Sequence, residues 1–192
     1  GVCMDKVSID RNAAIPMPVC IVGTVVNEKA NFMPVGWVCR TNYQPPMIGI
    51  GIGKNHLTSK GVKQNGTFSV NFPGRPLMAK TDCIGLFSGS EKDKSTLFDC
   101  FYGEVKTAPL ISEAPLCLAC RVVEAVDLPT NIFFIGEIIE AWSETRYLSK
   151  EHPDIKRMDV FFLSMPDNRY WALGETIGTA WNRENLKILV DS

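Results

Sequence analysis

Short apolar runs separated by turn-forming residues recur along the whole chain. The runs are rich in Val, Ile and Phe, and Gly, Pro or Asn interrupts them. Runs of this kind, bounded by such breaks, are typical of β-strands. The pattern predicts strands at residues 18–26, 33–39, 47–53, 67–72, 116–126, 132–142, 159–164 and 170–173. A turn is expected at residues 27–31, and Pro45 and Pro46 predict an extended break.

Residues 47–53 alternate strictly between apolar residues and glycine. In a strand this pattern places Ile48, Ile50 and Ile52 on one face and bare backbone on the other. Glycines along one face of a strand indicate that another group approaches the backbone closely. We therefore expect another group to lie close to this face.

Two helices are expected between the strands. Residues 58–64 predict the first, with Asn55 or Thr58 as its N-cap and Gly66 as its stop. Residues 75–83 predict the second. Strands outnumber helices, and this favours an antiparallel sheet or barrel over alternating βαβ units. The predicted fold class is mainly β with a few helices.

Composition and charge narrow the classes of function. The 192 residues suit a single domain over residues 1–192, and the formal net charge is −1. A chain with no dense basic run lacks the electrostatic footprint of a nucleic-acid or anionic-membrane binder. No stretch approaches the roughly 18 consecutive apolar residues of a membrane span. The start of the chain lacks the pattern of a signal peptide, and the seven cysteines favour reduced thiols because they are odd in number and irregularly spaced. We expect a cytoplasmic protein that binds neither nucleic acid nor membrane.

The common catalytic and metal motifs are missing from the sequence. A dinucleotide loop built on Gly49 and Gly51 would need a third glycine where Lys54 stands. There is no GxSxG elbow, and His56 and His152 are the two histidines of the chain. We expect no catalytic side chain and no metal site.

Cys117 and Cys120 form a CxxC pair, which would supply two of the four ligands of a structural zinc. Residues three apart on a strand point to opposite faces. If residues 116–126 form a strand, the two sulfurs cannot converge, so we expect structural thiols.

Residues 53–60 follow the glycine-faced strand and enter the first helix. A helix start combined with hydroxyls and cations predicts a phosphate site. The side chains concerned are Lys54, His56, Thr58, Ser59 and Lys60. The alternative is an ordinary capped helix with surface lysines. The polar loop at residues 88–94 is a second candidate, and its alternative is a plain exposed loop.

Several segments between residues 16 and 181 match one known family in order and spacing. They are 16–23 (PMPVCIVG), 31–37 (NFMPVGW), the Pro45-Pro46 break, 47–58, 68–71 (FSVN), 85–89 (GLFSG) with Asp93-Lys94, 134–137 (FIGE) and 173–181 (LGETIGTAW). Together they resemble the flavin reductase-like FMN-binding split-barrel family, and within it the flavoredoxins. One departure is Thr179, which stands where similar proteins often carry lysine.

The resemblance implies an FMN-binding split antiparallel β-barrel that works as a homodimer, with FMN near the subunit interface. It implies that one segment lines the flavin ring largely through backbone groups, a second holds the phosphate and ribityl end, and a third closes over the cofactor. The first consists of Pro34, Val35, Gly36, Trp37, Val38 and Cys39, the second of Lys54, Asn55, His56 and Thr58, and the third of Ser88, Gly89 and Lys94.

The implied function is that of an FMN-dependent oxidoreductase or electron carrier. Electrons would come from NAD(P)H or a redox protein and leave to a flavin, a protein or another acceptor. Since the cofactor carries the redox chemistry, this agrees with the missing catalytic motifs. Two alternatives remain open: a non-catalytic flavin-binding sensor or storage module, and a split-barrel protein that binds haem or a pyridoxal-type phosphate. Cys39 is interpreted as a packed thiol rather than a redox-active one.

Overall fold

The computed structural model describes residues 5–12 and 16–189. The strands are β1 (Met17–Pro18), β2 (Cys20–Val26), β3 (Lys29–Val35), β4 (Val38–Asn42), β5 (Met47–Gly53), β6 (Thr67–Phe72), β7 (Cys100–Phe101), β8 (Leu110–Ile111), β9 (Leu116–Asp127), β10 (Asn131–Ser143), β11 (Leu148–Ser149), β12 (His152–Pro153), β13 (Phe161–Ser164) and β14 (Arg169–Ala172). The α-helices are α1 (Leu57–Asn65), α2 (Met78–Gly85) and α3 (Ile155–Met158), and shorter 3-10 segments cover Arg75–Leu77, Thr145–Tyr147 and Arg183–Leu189. The mainly β prediction is confirmed.

Most predicted strands are present, but the run at residues 33–39 is not one strand. It covers the end of β3, the two residues Gly36 and Trp37, and the start of β4. The turn predicted at residues 27–31 is also shorter, because Asn27 and Glu28 both adopt positive φ and the chain re-enters a strand at Lys29.

Seven strands form one antiparallel sheet in the order β3-β2-β6-β9-β10-β5-β4. Its two edges, β3 and β4, are separated along the chain by Gly36 and Trp37 alone. Six strand spacings of about 4.8 Å would hold the edges of a flat sheet roughly 29 Å apart, whereas three residue steps reach about 11 Å. The sheet therefore curls until its edges come together, as a barrel that stays split between β3 and β4.

Alternating residues of these strands fill two separate cores. The inner cluster, inside the barrel, contains Cys20, Val22, Val35, Ile48, Ile50, Ile52, Val62, Phe68, Val70, Leu118, Cys120, Ile132 and Phe134. The outer cluster contains Ile21, Ala30, Phe32, Leu77, Ile84, Phe98, Ala108, Leu110, Ile111, Ala114, Cys117 and Ala119. Cys120 lies in the first and Cys117 in the second, so the prediction that their sulfurs point apart is confirmed.

A smaller sheet, β1-β13-β14, packs beside the split. Met17 of β1 pairs with Leu163 of β13, and Leu163 pairs with Tyr170 of β14. This places β14 within reach of α2, as the hydrogen bond between Tyr170 and Asp82 shows. Among the described residues, no helix has the length and apolar character to cross a bilayer.

Candidate functional site

Two clefts lie along the split of the barrel. The first, the split cleft, has a volume of about 340 Å³ and is lined by Pro34, Val35, Gly36, Trp37, Gly51, Gly53 and His56, among others. The second, the loop cleft, has a volume of about 350 Å³ and runs between the start of α1 and residues 84–94. Met33, Pro34 and His56 line both clefts, so the two form one continuous groove.

The start of α1 forms one wall of the loop cleft through His56, Leu57 and Thr58. His56 is the N-cap residue, and no side chain caps the helix. The prediction that Asn55 or Thr58 caps it is wrong, because Asn55 precedes the cap position and Thr58 lies inside the first turn. The first N–H groups of a helix have no intrahelical acceptor and carry a partial positive charge. The uncapped start of α1 therefore presents N–H donors to the cleft.

Thr58 and Asn31 connect α1 to β3. Thr58 Oγ1 accepts a hydrogen bond from Asn31 Nδ2 at 2.9 Å, and both residues are buried. The hydroxyl hydrogen of Thr58 is not used in this bond. The bond fixes the first turn of α1 against the barrel and leaves one donor for a ligand.

Lys94 is the charged residue most deeply placed at the loop cleft, with 6% of its surface exposed. Its Nζ donates to Ile84 O at 2.6 Å and lies 5.0 Å from the centroid of the Phe87 ring. It takes part in none of the ion pairs formed by the described residues. Burial lowers the pKa of Lys94, and weaker interactions with Cys83 and Glu91 oppose that shift. A buried cation that lacks a carboxylate partner is suited to an anionic ligand.

Gly89 allows the loop that carries Lys94 to approach the barrel. A Cβ at this position would overlap Asn31 Oδ1, so a larger residue would push the loop away. An ion pair of 2.7 Å between Lys29 Nζ and Asp93 Oδ2 anchors the same loop to β3. The hydrogen bond from Lys29 is the main reason why the pKa of Asp93 is lowered.

The glycine face of β5 is covered in part by the protein itself. A Cβ on Gly49 would overlap the Phe133 ring, which explains one of the three glycines by packing alone. Gly51 faces Trp37, whose side chain is 58% exposed on the wall of the split cleft. Gly53 faces His56. His56 and Trp37 thus cover part of Gly53 and Gly51, and both glycines line the split cleft.

The structure brings together most, but not all, of the predicted site residues. Those that line the groove are Pro34, Val35, Gly36, Trp37, His56, Thr58, Ser88, Gly89 and Lys94. Those that line neither cleft are Val38, Cys39, Lys54 and Asn55. Val38 packs against the inner cluster, and Lys54 Nζ forms an ion pair of 3.0 Å with Asp127 Oδ1. Cys39 is exposed on β4, so its interpretation as a packed thiol is wrong.

Sequence reasoning missed several residues of the groove. Asn31, a buried polar residue in a mostly apolar strand, was also missed; it lines neither cleft, but it bonds to Thr58 of α1 and lies beside Gly89. A polar residue inside an apolar run was the available signal. The missed lining residues of the two clefts are Met17, Met33, Leu57, Ile84, Gly85, Leu86, Phe87, Glu91, Asn131, Leu163 and Met165.

The groove therefore has two ends of different chemistry. One end offers helix N–H groups, a hydroxyl and a buried ammonium group, all of which suit an anion. The other end offers Trp37, backbone and apolar walls, which suit a flat ring. A ligand that combines a planar ring with an anionic tail matches both ends.

Comparison with known proteins agrees with this geometry. The family model described as a flavin reductase-like domain matches residues 12–155. The crystal structure of a flavoredoxin from Methanosarcina acetivorans is 52% identical, with a TM-score of 0.93, and the match covers 97% of this chain and 100% of that one. A flavoredoxin of Desulfovibrio vulgaris is 27% identical, with a TM-score of 0.86 over 94% of this chain and 100% of its own.

Curated relatives match over a shorter length. A ferric-chelate reductase (NAD(P)H) of Archaeoglobus fulgidus is 29% identical over 127 residues, which cover 61% of this chain and 72% of the relative. The chain spans 66% of the length of an uncharacterized Escherichia coli protein that is 28% identical over 129 residues, or 62% of this chain.

Proposed function

The chain belongs to the flavin reductase-like family, and from this premise we propose that it is an FMN-dependent oxidoreductase or electron carrier of the flavoredoxin type. The continuous groove along the split, with Lys94 and the start of α1 at one end and Trp37 at the other, is the observation that carries the proposal. Bound FMN would supply reversible acceptance and release of electrons. The protein would supply position, charge and exclusion of water.

The residues present fit FMN. Its phosphate matches Lys94, the Thr58 hydroxyl and the N–H groups at the start of α1. Its ring matches the split cleft, whose wall includes the exposed side chain of Trp37 and the backbone of Gly51. Lys54 is a weaker candidate for the phosphate than its sequence position suggests, because its ion pair with Asp127 already neutralises its charge.

The proposed electron donor is a reduced nicotinamide or a redox protein, and the acceptor is a flavin, a protein or another oxidant. The named activity of the Archaeoglobus relative supports a nicotinamide donor. Exposed thiols such as Cys39 and Cys83 agree with a reducing, cytoplasmic setting.

The test is a titration of the purified chain with FMN and with riboflavin, followed by anaerobic reduction. FMN should bind more tightly than riboflavin, because riboflavin lacks the phosphate that Lys94 would contact. NADH, NADPH or reduced ferredoxin should then bleach the flavin. A chain that binds no flavin would refute the proposal, and a bound flavin that none of the three donors bleaches would favour the non-catalytic flavin-binding module.

We also propose that the protein works as a homodimer. Trp181 and Ile177, beyond β14, are almost fully exposed at 98% and 102%. Large apolar side chains clustered in one exposed segment mark an interaction surface. Removal of residues 173–192 should convert the dimer to a monomer in sedimentation equilibrium, and a full-length chain that sediments as a monomer would contradict this.

A further inference from the structure

A pocket of different chemistry lies on the far side of the small sheet from the groove, and we call it the apolar pocket. It has a volume of about 240 Å³ and lies between α3, β1, β13 and the paired ends of β6 and β9. Met17 and Leu163, which pair in the β1-β13 ladder, line the split cleft, whereas the next pair, Pro18 and Phe162, lines the apolar pocket. Among the described residues, it shares no lining residue with either cleft.

The side chains of this pocket offer a ligand no hydrogen bond. The ten described residues that line it are all apolar, and Met158 and Phe161 among them are buried. Pro18 and Pro153 also lack a backbone N–H. Ile155, which is 51% exposed, marks the mouth. A polar group that enters such a site loses its hydration without gaining a hydrogen bond. The lining therefore selects a ligand with no polar group inside the pocket.

Much of the backbone around the pocket is already paired within the fold. β13 is the central strand of its sheet and pairs with β1 on one side and with β14 on the other. At the start of α3, the N–H groups of Lys156 and Arg157 donate to Asp154 Oδ1 at 3.0 and 3.1 Å. Phe72 of β6 pairs with Leu116 of β9. Because these groups are paired, they do not recognise a ligand.

The charged residues that adjoin the lining residues of α3 each have a partner of opposite charge. The ion pairs are Arg157–Asp154 at 3.7 Å, Lys156–Glu175 at 3.6 Å and Arg75–Asp159 at 2.6 Å. A carboxylate on the ligand would have to compete with these acidic side chains for a cation, and an ammonium group would have to compete with the basic ones. The mouth therefore favours a neutral ligand.

The volume limits the size of that ligand. An apolar cavity of about 150 Å³ stays dry and binds benzene, so the apolar pocket, at about 240 Å³, has room for one ring with short alkyl groups. We propose that the apolar pocket is a binding site for a small neutral hydrocarbon, an alkylbenzene in size and chemistry, and that it fills independently of the flavin. The site is additional to the proposed function and does not rest on it.

The first experiment compares two isosteric probes on the full chain by saturation-transfer NMR. The probes are para-diethylbenzene and para-xylylene glycol, in which a hydroxyl replaces each terminal methyl group, so one polar group is buried whichever end enters. Diethylbenzene should bind about tenfold more tightly or better. Saturating FMN should not displace it, since the groove and the pocket have separate linings. Equal affinities for the two probes, or displacement by FMN, would overturn the proposal.

The second experiment locates the probe with two variants. Val160→Phe fills the pocket and Ile155→Asp places a carboxylate at its mouth, so each should weaken diethylbenzene binding by about tenfold or more and leave FMN affinity unchanged. The matched controls are Val123→Phe and Ile9→Asp, which alter exposed residues outside the pocket and should bind the probe as the parent does. If Val160→Phe does not fold, Ile155→Asp decides, because it alters a half-exposed residue. Unchanged binding in Ile155→Asp refutes the assignment.

The other occupant to test is an apolar side chain of the C-terminal segment. Ile177 is fully exposed, and Glu175, two residues before it, pairs with Lys156 of α3. If diethylbenzene binds only after the change Ile177→Asp, that segment fills the pocket and the proposal is wrong. Equal binding in the parent and in Ile177→Asp supports it. A chain that binds diethylbenzene but no FMN refutes the proposed function and leaves this inference intact.

Discussion

Replacing Lys94 with methionine separates the contribution of this residue to flavin binding from its contribution to folding. Lys94 is 6% exposed, and its ammonium group donates to one backbone acceptor, Ile84 O. Methionine has a similar length and no charge. The variant therefore removes a buried cation that lacks a carboxylate partner and leaves the packing nearly intact.

The two expected effects of Lys94→Met have opposite signs. A hydrogen bond between charged partners is worth about 1.5–3 kcal/mol, so the dissociation constant for FMN should rise by a factor of about 10 to 150. The free energy of unfolding of the flavin-free protein should stay the same or increase, because a buried charge no longer has to be desolvated. Loss of a residue important only for folding would instead lower the free energy of unfolding and weaken the binding of FMN and riboflavin alike.

Fluorescence titration with FMN and riboflavin, together with urea unfolding, measures both effects. Affinity for riboflavin should change little in Lys94→Met, since riboflavin has no phosphate. The matched control is Lys60→Met, which removes an exposed cation of α1 outside the two clefts and should cost less than about 1 kcal/mol. If Lys94→Met binds FMN as tightly as the parent chain, or loses riboflavin equally, the assignment of the phosphate to Lys94 is wrong.

The lowered pKa of Lys94 adds a dependence on pH. Its ordinary value is 10.5, and burial places the folded-state value below that. As pH rises through the folded-state pKa, the ammonium group loses its proton and FMN binding should weaken before pH 10.5 is reached. Between the two values the unfolded chain binds more protons than the folded one, so the contribution of this group to stability increases with pH. Lys94→Arg keeps its charge throughout and should abolish the alkaline loss of FMN affinity.

Three further substitutions test neighbouring features. Gly89→Ala places a methyl group against Asn31 Oδ1 and should displace the loop at a cost of about 1–3 kcal/mol, seen as weaker FMN binding and a lower melting temperature. Thr58→Val leaves the buried Asn31 Nδ2 without its acceptor, so urea unfolding should show a loss of about 1–3 kcal/mol that Thr58→Ser largely avoids. The pKa of Tyr170 is raised from 10.0 to about 12, so its contribution to stability is complete below pH 10 and is lost as pH rises towards 12. Tyr170→Phe should flatten the unfolding free energy in that window, and an unchanged alkaline slope would contradict the hydrogen bond to Asp82.

The strands could be predicted because a two-residue period is a local property. Residues 47–53 and 67–72 were assigned with the bounds that the structure shows, and the opposite placement of Cys117 and Cys120 followed from the same period. The break inside residues 33–39 could not be found in this way. Gly36 and Trp37 do not interrupt the apolar run, and only closure of the sheet requires a connection there.

The site could be predicted in part, because its charged residues were visible but their partners were not. Lys94 was identified through the resemblance of its loop to a known family, whereas its burial and its lack of a carboxylate partner depend on the fold. Lys54 looked equally suitable until the structure placed Asp127 beside it. Asn31 forms a hydrogen bond with Thr58, 27 positions away in sequence, and Asp82 forms one with Tyr170, 88 positions away. No local pattern encodes such contacts.

Pro34 connects the architecture of the barrel to the chemistry of the groove. It lies in β3, an edge strand of the seven-stranded sheet. On the side of β3 that faces the rest of the sheet, it pairs with Ile21 of β2. Proline has no N–H to donate, and for this reason it is tolerated on edge strands and prevents a further strand from pairing there. The short connection brings β4, the opposite edge of the sheet, close to β3. At Pro34, however, the two edge strands cannot complete a ladder of backbone hydrogen bonds. The unclosed seam becomes the groove, and Pro34 lines the split cleft, the loop cleft and the neighbouring pocket between α2 and β14 alike.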